Sequence, residues 1–209
     1  MKNQIVCFLI TISLFATFVT PAAALEEYSA RQVLVEINLA RTEPLKFAGF
    51  LRELRTRFQG KLFWMPGTTT FMETSEGVDA VDEAIRFLSR QKPLPPLAWS
   101  AGLAAAAAEL TREQGESGAT GHGGFWGSGM RKRIERHGRW QGRIAENIDY
   151  SPADPRNVVI QLLIDDGVSG RGHRKNQFSP AFGSAGVACG PHPRFGGMCV
   201  IDFSSGFRE

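Results

Sequence analysis

The stretch AGVACGPHPRFGGMCVIDFS, residues 185–204, is the part of the chain whose reading decides the fold. Two apolar runs flank a loop rich in glycine and proline, the pattern of a β-hairpin. Side chains alternate across a strand, so Ala185, Val187 and Cys189 share one face, and Cys199, Ile201 and Phe203 share a face of the returning strand. Both can be the core face. A disulfide between Cys189 and Cys199 would then join facing strands, and closing so short a loop stabilises by roughly 2–3 kcal/mol on the loop-entropy estimate. The hairpin predicts antiparallel sheet, and the segments upstream must supply the helices that cover it.

The N-terminal MKNQIVCFLITISLFATFVTPAAA, residues 1–24, joins a short positive region at Lys2 to an apolar run from Ile5 to Val19, then Pro21 and three alanines. That is the order of a cleaved secretory signal. The run is interrupted by Thr and Ser and is shorter than the roughly 20 residues a bilayer span requires, so no transmembrane anchor is expected after cleavage. Residues 25–209 are expected to form one secreted or periplasmic domain, long enough for a sizeable core. With Cys7 inside the signal, Cys189 and Cys199 are left as one pair in an oxidising compartment. Lys and Arg number 24 against 21 Asp and Glu, a net charge of +3. Such a balance argues against a nucleic-acid partner, which requires a far more basic surface.

Apolar residues at helical spacing place one or two helices over residues 26–58, with Pro44 at the joint, and another over 77–91 that stops before KPLPPL. Between them, residues 58–76 have turn residues and no sustained period, which predicts a loop or an inserted excursion. Ser100 caps an alanine-rich helix that Gly118 ends. A short basic helix ends at Gly138, GRIAENIDY has strand character, and Asp154 with Pro155 opens a helix buried on a wide face by Val158, Val159, Leu162 and Leu163.

Four pieces carry chemistry. His122 lies in the glycine-rich GATGHGGFWGSG, Glu146 between apolar neighbours in RIAENI, Asp165 and Asp166 at the end of a buried helix, and His173 in SGRGHRKNQF. For His173 three readings compete: a metal or acid/base site, a phosphate-binding loop, or a residue that closes a turn. The phosphate reading lacks a glycine-rich strand-to-helix fingerprint. Singly, each residue has a structural explanation. Together they are two histidines and an acidic set on the ends of separate elements, the composition of a divalent-metal or acid/base cleft. The separation of His122 from His173 is too long for a local metal motif, so the fold has to bring them together.

GRGHRKN, preceded by AENI and GATGHGG and followed by GSAGVACG and MCVIDFS, resembles the CAP superfamily, also called SCP-domain proteins, in its bacterial secreted branch. VLVEINLAR and LPPLAWSAGLAAAAAE resemble that family's first helix and the helix entering its core. The resemblance spans about Arg31 to Phe203 and implies an α+β fold, a three-layer α-β-α sandwich with a central antiparallel sheet and a cleft on one side. It also implies a cleft tetrad of two histidines and two acids. Residue by residue, these match His122, Glu146 and His173, with Asp166 as the best match for the second acid and Asp165 as the alternative. The family's second acid lies in a tryptophan-containing stretch, whereas QLLIDDG has none. The implied cofactor is a divalent metal, zinc first, held by His122 and His173.

Three functions follow as expectations. The first is a cleft that binds a small-molecule or lipid-like ligand, or an envelope component, through such a metal. The second is a metal-dependent hydrolase of an envelope peptide or ester, with Glu146 as catalytic general base on a metal-activated water; no GxSxG elbow supports serine chemistry. The third is a non-catalytic interaction module using the basic run at residues 131–143, Arg131, Lys132, Arg133, Arg136, Arg139 and Arg143 around Trp140. His137 and His192 are expected in loops, and Trp64, Trp99 and Trp126 in the core or the cleft wall.

Overall fold

The computed structural model describes residues 21–64, 71–124, 128–152 and 154–209, and side chains from residue 29 onward. Most of the predicted signal and the side chain of Trp126 lie outside the described residues. Helix α1 (Pro21–Thr42) breaks at Glu43, where Pro44 takes the first turn of α2 (Pro44–Arg55); proline fits there because its missing N–H would have had no helical acceptor. Three short strands follow, β1 (Phe58–Gln59), β2 (Leu62–Trp64) and β3 (Phe71–Glu73), then α3 (Val78–Arg90) and β4 (Ala98–Trp99). The second half runs α4 (Ala101–Ser117), α5 (Met130–His137), β5 (Arg139–Asp149), α6 (Pro155–Ile164), α7 (Gly172–Gln177), β6 (Ser184–Gly190) and β7 (Met198–Arg208).

The main sheet has the order β4-β6-β7-β5. β7 pairs antiparallel with both β5 and β6, and only the two-residue β4 runs parallel to its neighbour. Register fixes the faces. Cys199, Ile201 and Phe203 pack with the apolar sides of α1, α2, α3 and α6, while Met198 and Val200 pack with Ala107 and Leu110 of α4. Helices thus cover both faces, which is the α-β-α sandwich the resemblance implied.

The caps behave as the side chains dictate. Ser100 Oγ accepts from the backbone N–H of Leu103 and Asp154 Oδ1 from that of Asn157, each satisfying a donor that the helix leaves over. Gly118 ends α4 in the left-handed region. Cys189 and Cys199 are direct register partners and form the disulfide.

Two readings are refined. Within residues 58–76, where a loop or an inserted excursion was expected, β1, β2 and β3 pair as a three-stranded antiparallel sheet; strands of two and three residues are too short to show an alternating period. His173, for which closing a turn was one of three readings, lies in the first turn of helix α7. Asn176 donates to the side-chain oxygen of Asn147 at 2.9 Å.

Candidate functional site

Strand β5 lies at one edge of the main sheet, and the candidate residues gather on its two sides. Glu146 shares a face with its register partner Asp202, on the side of α4 and α5. Its Oε1 is 2.8 Å from His122 Nδ1, and its Oε2 accepts from Nη2 of Arg133, on α5, at 2.5 Å. Asn147 and Asp149 belong to the opposite face, where α6 and α7 pack. Asn147 Nδ2 donates to the carbonyl of His173.

His173 Nδ1 is 2.6 Å from Asp165 Oδ1, and the backbone N–H of His173 donates to Asp165 Oδ2 at 2.9 Å. Asp165 is the C-terminal cap of α6, in the left-handed region with φ 58°. Aspartate tolerates that conformation better than most side chains, and it turns the carboxylate back toward the start of α7. Asp166 points elsewhere: its two oxygens accept from the backbone N–H groups of Ser75 and Glu76, pinning the segment after β3. Of the two acids considered for the fourth position, Asp165 therefore faces His173 and Asp166 faces the inserted segment.

The result is two histidine–carboxylate dyads, His122–Glu146 and His173–Asp165, each with Nδ1 taken by the acid. Neither Nε2 has a hydrogen-bond partner among the described residues. The Glu146 hydrogen bond raises the His122 pKa above the ordinary histidine value, against the opposing effect of burial. Tyr150 ties the two sides together. Its hydroxyl accepts from Gly121 N, beside His122, and donates to Gln114 Oε1.

On the His173 side a pocket of about 310 Å³ opens between the inserted sheet, α6 and the end of β5. Leu54, Phe58, Phe63, Met72, Leu162 and Ile164 give it an apolar wall; Asp149, Asp165 and His173 give it a polar end. Burial pushes the Asp149 carboxyl up to about 6, against the lowering effect of the Ser151 hydroxyl bonded to it. The raised value means that the native state binds protons more strongly than the unfolded chain. Stability is thus expected to fall as pH rises from about 4 through 6, by up to about 3 kcal/mol from this group. Thermal unfolding at pH 4.5 and 7.5 should show a smaller difference in Asp149→Asn than in the parent protein; an unchanged difference would remove Asp149 as its source.

For a resident metal the donor set fits poorly. Among the described residues no three His, Cys, Asp or Glu side chains converge as a metal site. Both oxygens of Glu146 are engaged, and Asp165 is bound by the ring and backbone of His173.

Several residues take positions that the sequence did not suggest. Arg133, counted in the basic run, is fully buried under Glu146. Arg131 pairs with Glu135, and Arg136 with Glu109. His137 ends α5 against Glu109, and His192 is buried with its Nε2–H donating to the Ala119 carbonyl at 3.0 Å. Trp99 packs at the edge of the core, but Trp64 is exposed on the outer face of the inserted sheet against Phe71. Asp202 was missed altogether. Both its oxygens are buried without a partner, facing Glu146 across the ladder. A sandwich with both sheet faces covered was the signal that could have found it, because Asp202 alternates with Ile201 and Phe203.

The model of the cysteine-rich secretory protein family, CAP, matches residues 37–203. Among solved structures, an extracellular protein with an SCP domain from Bacillus anthracis is similar over 61% of this chain, at 20% identity and a TM-score of 0.44. The match covers 37% of that protein, so this chain spans well under half of its length. An outer surface protein from Borrelia burgdorferi is similar at 18% identity and a TM-score of 0.45, over 53% of this chain and 78% of that one. A cysteine-rich secretory protein from Staphylococcus aureus is similar at 14% identity and a TM-score of 0.41, over 69% of this chain and 46% of that one. No curated protein matches.

Proposed function

Because the chain belongs to the cysteine-rich secretory protein (CAP) family, we propose that it is an exported CAP-domain protein that binds a ligand through the dyads His122–Glu146 and His173–Asp165. One observation carries this reading. Each imidazole has its Nδ1 fixed by a carboxylate, which sets its orientation, and its Nε2 has no partner among the described residues. Two oriented imidazole nitrogens suit a ligand that accepts or donates hydrogen bonds. Export rests on the N-terminal apolar run and on the disulfide. No helix among the described residues is long and apolar enough to cross a membrane.

A divalent cation such as zinc at His122 and His173 is the second reading. What favours it is the same pair of Nε2 atoms, since a carboxylate on the other ring nitrogen is the usual support of a metal-bound histidine. The missing third ligand counts against it. Against a hydrolase with Glu146 as general base stands the engagement of both its oxygens by Arg133 and His122. A basic docking face is disfavoured because Arg133 is buried and Arg131 and Arg136 are paired with acids.

The test uses protein made without affinity tag or chelator, incubated with envelope extract and examined by native mass spectrometry before and after EDTA. The parent protein should retain a small molecule after EDTA, and His122→Ala/His173→Ala should lose it. Retention by the double variant would remove the dyads from binding. Zinc bound by the parent and lost from His173→Ala, with ligand lost on EDTA treatment, would favour the cation instead. Metal-dependent ester or peptide hydrolysis that Glu146→Gln abolishes would establish the hydrolase.

A further inference from the structure

We propose that the pocket beneath the inserted sheet binds a small aliphatic ammonium ion, with the hydrocarbon chain against the apolar wall and the charged nitrogen on Asp149. This rests on the preceding reading only in that His173 borders the same pocket, and it names the class of ligand that reading leaves open.

The pocket is amphipathic. The rings of Phe58 and Phe63, 4.9 Å apart and tilted by 39°, close one side with Leu54 and Met72; Leu162 and Ile164 of α6 close the other. Apolar walls with a few convergent polar groups are the ordinary form of a small-molecule site. Its charge is one-sided. Glu73, Asp149, Asp165 and Asp166 line it and, among the described residues, no lysine or arginine does. An anion would meet four carboxylates against the single imidazole of His173, which is already paired with Asp165, and a neutral alcohol would bring no charge to offset them.

The three aspartates are not equivalent. Asp166 is held by two backbone N–H groups and Asp165 by the ring and backbone of His173. Asp149 is only 7% exposed, and its one hydrogen bond among the described residues comes from the Ser151 hydroxyl to Oδ2. Among the described residues its Oδ1 has no donor, and Asp149 lines the cavity. A buried carboxylate lacking a cation is costly, and an ammonium group supplies both the charge and the missing donor.

The insertion makes this site. Without β1, β2 and β3 the apolar roof is absent, and Asp149 would face solvent at the end of β5.

Hexylamine, hexan-1-ol and hexanoate, matched in chain length, are the probes, titrated by calorimetry into the full chain. The amine should bind at least tenfold more tightly than the alcohol, and hexanoate should show no binding. Asp149→Asn, which keeps the side-chain shape, should lower amine affinity at least tenfold and leave the alcohol unchanged. If that variant fails to fold, Met72→Lys serves in its place: a tethered ammonium at the roof should abolish amine binding. The proposal is overturned if hexanoate or hexanol binds as well as hexylamine, or if a folded Asp149→Asn or Met72→Lys protein keeps the parent's amine affinity. Amine binding that behaves as expected while the double histidine variant still retains the envelope molecule would sink the dyads and keep the pocket; the reverse pattern would do the opposite.

Discussion

At neutral pH, Arg133→Met is expected to cost about 3–5 kcal/mol of stability, the usual penalty for removing one partner of a buried ion pair, and to recover part of it in acid. Arg133 is fully buried, and besides Glu146 it holds the carbonyls of Ser128 and His122. Beneath the pair lies Asp202, whose carboxyl oxygens meet no donor. Burial first, and the charge of Glu146 second, push the Asp202 pKa well above the ordinary carboxylate range, while Arg133 pulls it down. A neutral Asp202 can donate to the Glu146 carboxylate; two carboxylates could not share that space. Methionine fills the volume of the arginine stem but removes the buried guanidinium that faces Glu146. For an acid whose native pKa is raised, stability grows as pH falls through that raised value toward the unfolded one near 3.8. Denaturant unfolding at pH 7.5 and 5 should thus show a larger loss at the higher pH, and Glu146→Gln should restore part of it. A loss below about 1 kcal/mol, or one that ignores pH, would mean that Arg133 does not neutralise this cluster.

Gly186→Ala should destabilise by about 3 kcal/mol or more. Gly186 pairs with Asp202, which pairs with Glu146, so the three form one row across the sheet on the side of α4. A Cβ at Gly186 would overlap the backbone N of Ala104 and the carbonyl carbon of Leu103, with Ala104 Cα at 2.7 Å. These are helix backbone atoms in a packed layer, so relief requires moving α4 as a body, beyond ordinary overpacking. Gly206→Ala is the control, because its Cβ would meet only Gln141 side-chain atoms from 3.7 Å outward. Equal unfolding midpoints for the two variants would show that α4 yields easily.

Much of this architecture was legible in the chain because local chemistry decided it. Ser100 and Asp154 cap helices with the hydroxyl and carboxylate read from their positions, Pro44 sits where α2 begins, and the alternation around Cys189 and Cys199 sets the register that joins them. Of the candidate site, His122, Glu146, His173 and the two aspartates were named through a resemblance and not through spacing, and the pairing of each histidine with its carboxylate was not. What was hidden depends on tertiary environment. Arg133 looks like one cation among six in sequence, and only the packing of α5 on β5 buries it against Glu146. Asp165 and Asp166 are adjacent and chemically identical, and a left-handed residue at the helix end separates their tasks.

The order of the main sheet also bears on how the chain acquires its structure. Its two inner strands, β6 and β7, lie C-terminal to every helix, yet α1, some 150 residues earlier, packs on β6. Contacts of such long sequence separation form slowly, because the intervening chain must be closed into a loop first. A polypeptide emerging from one end, from a ribosome or through a translocation channel, thus has no central sheet on which α1 and α4 can settle until residues near 200 have appeared. Docking of α1 and α4 on the sheet is thus expected to be a late step of folding.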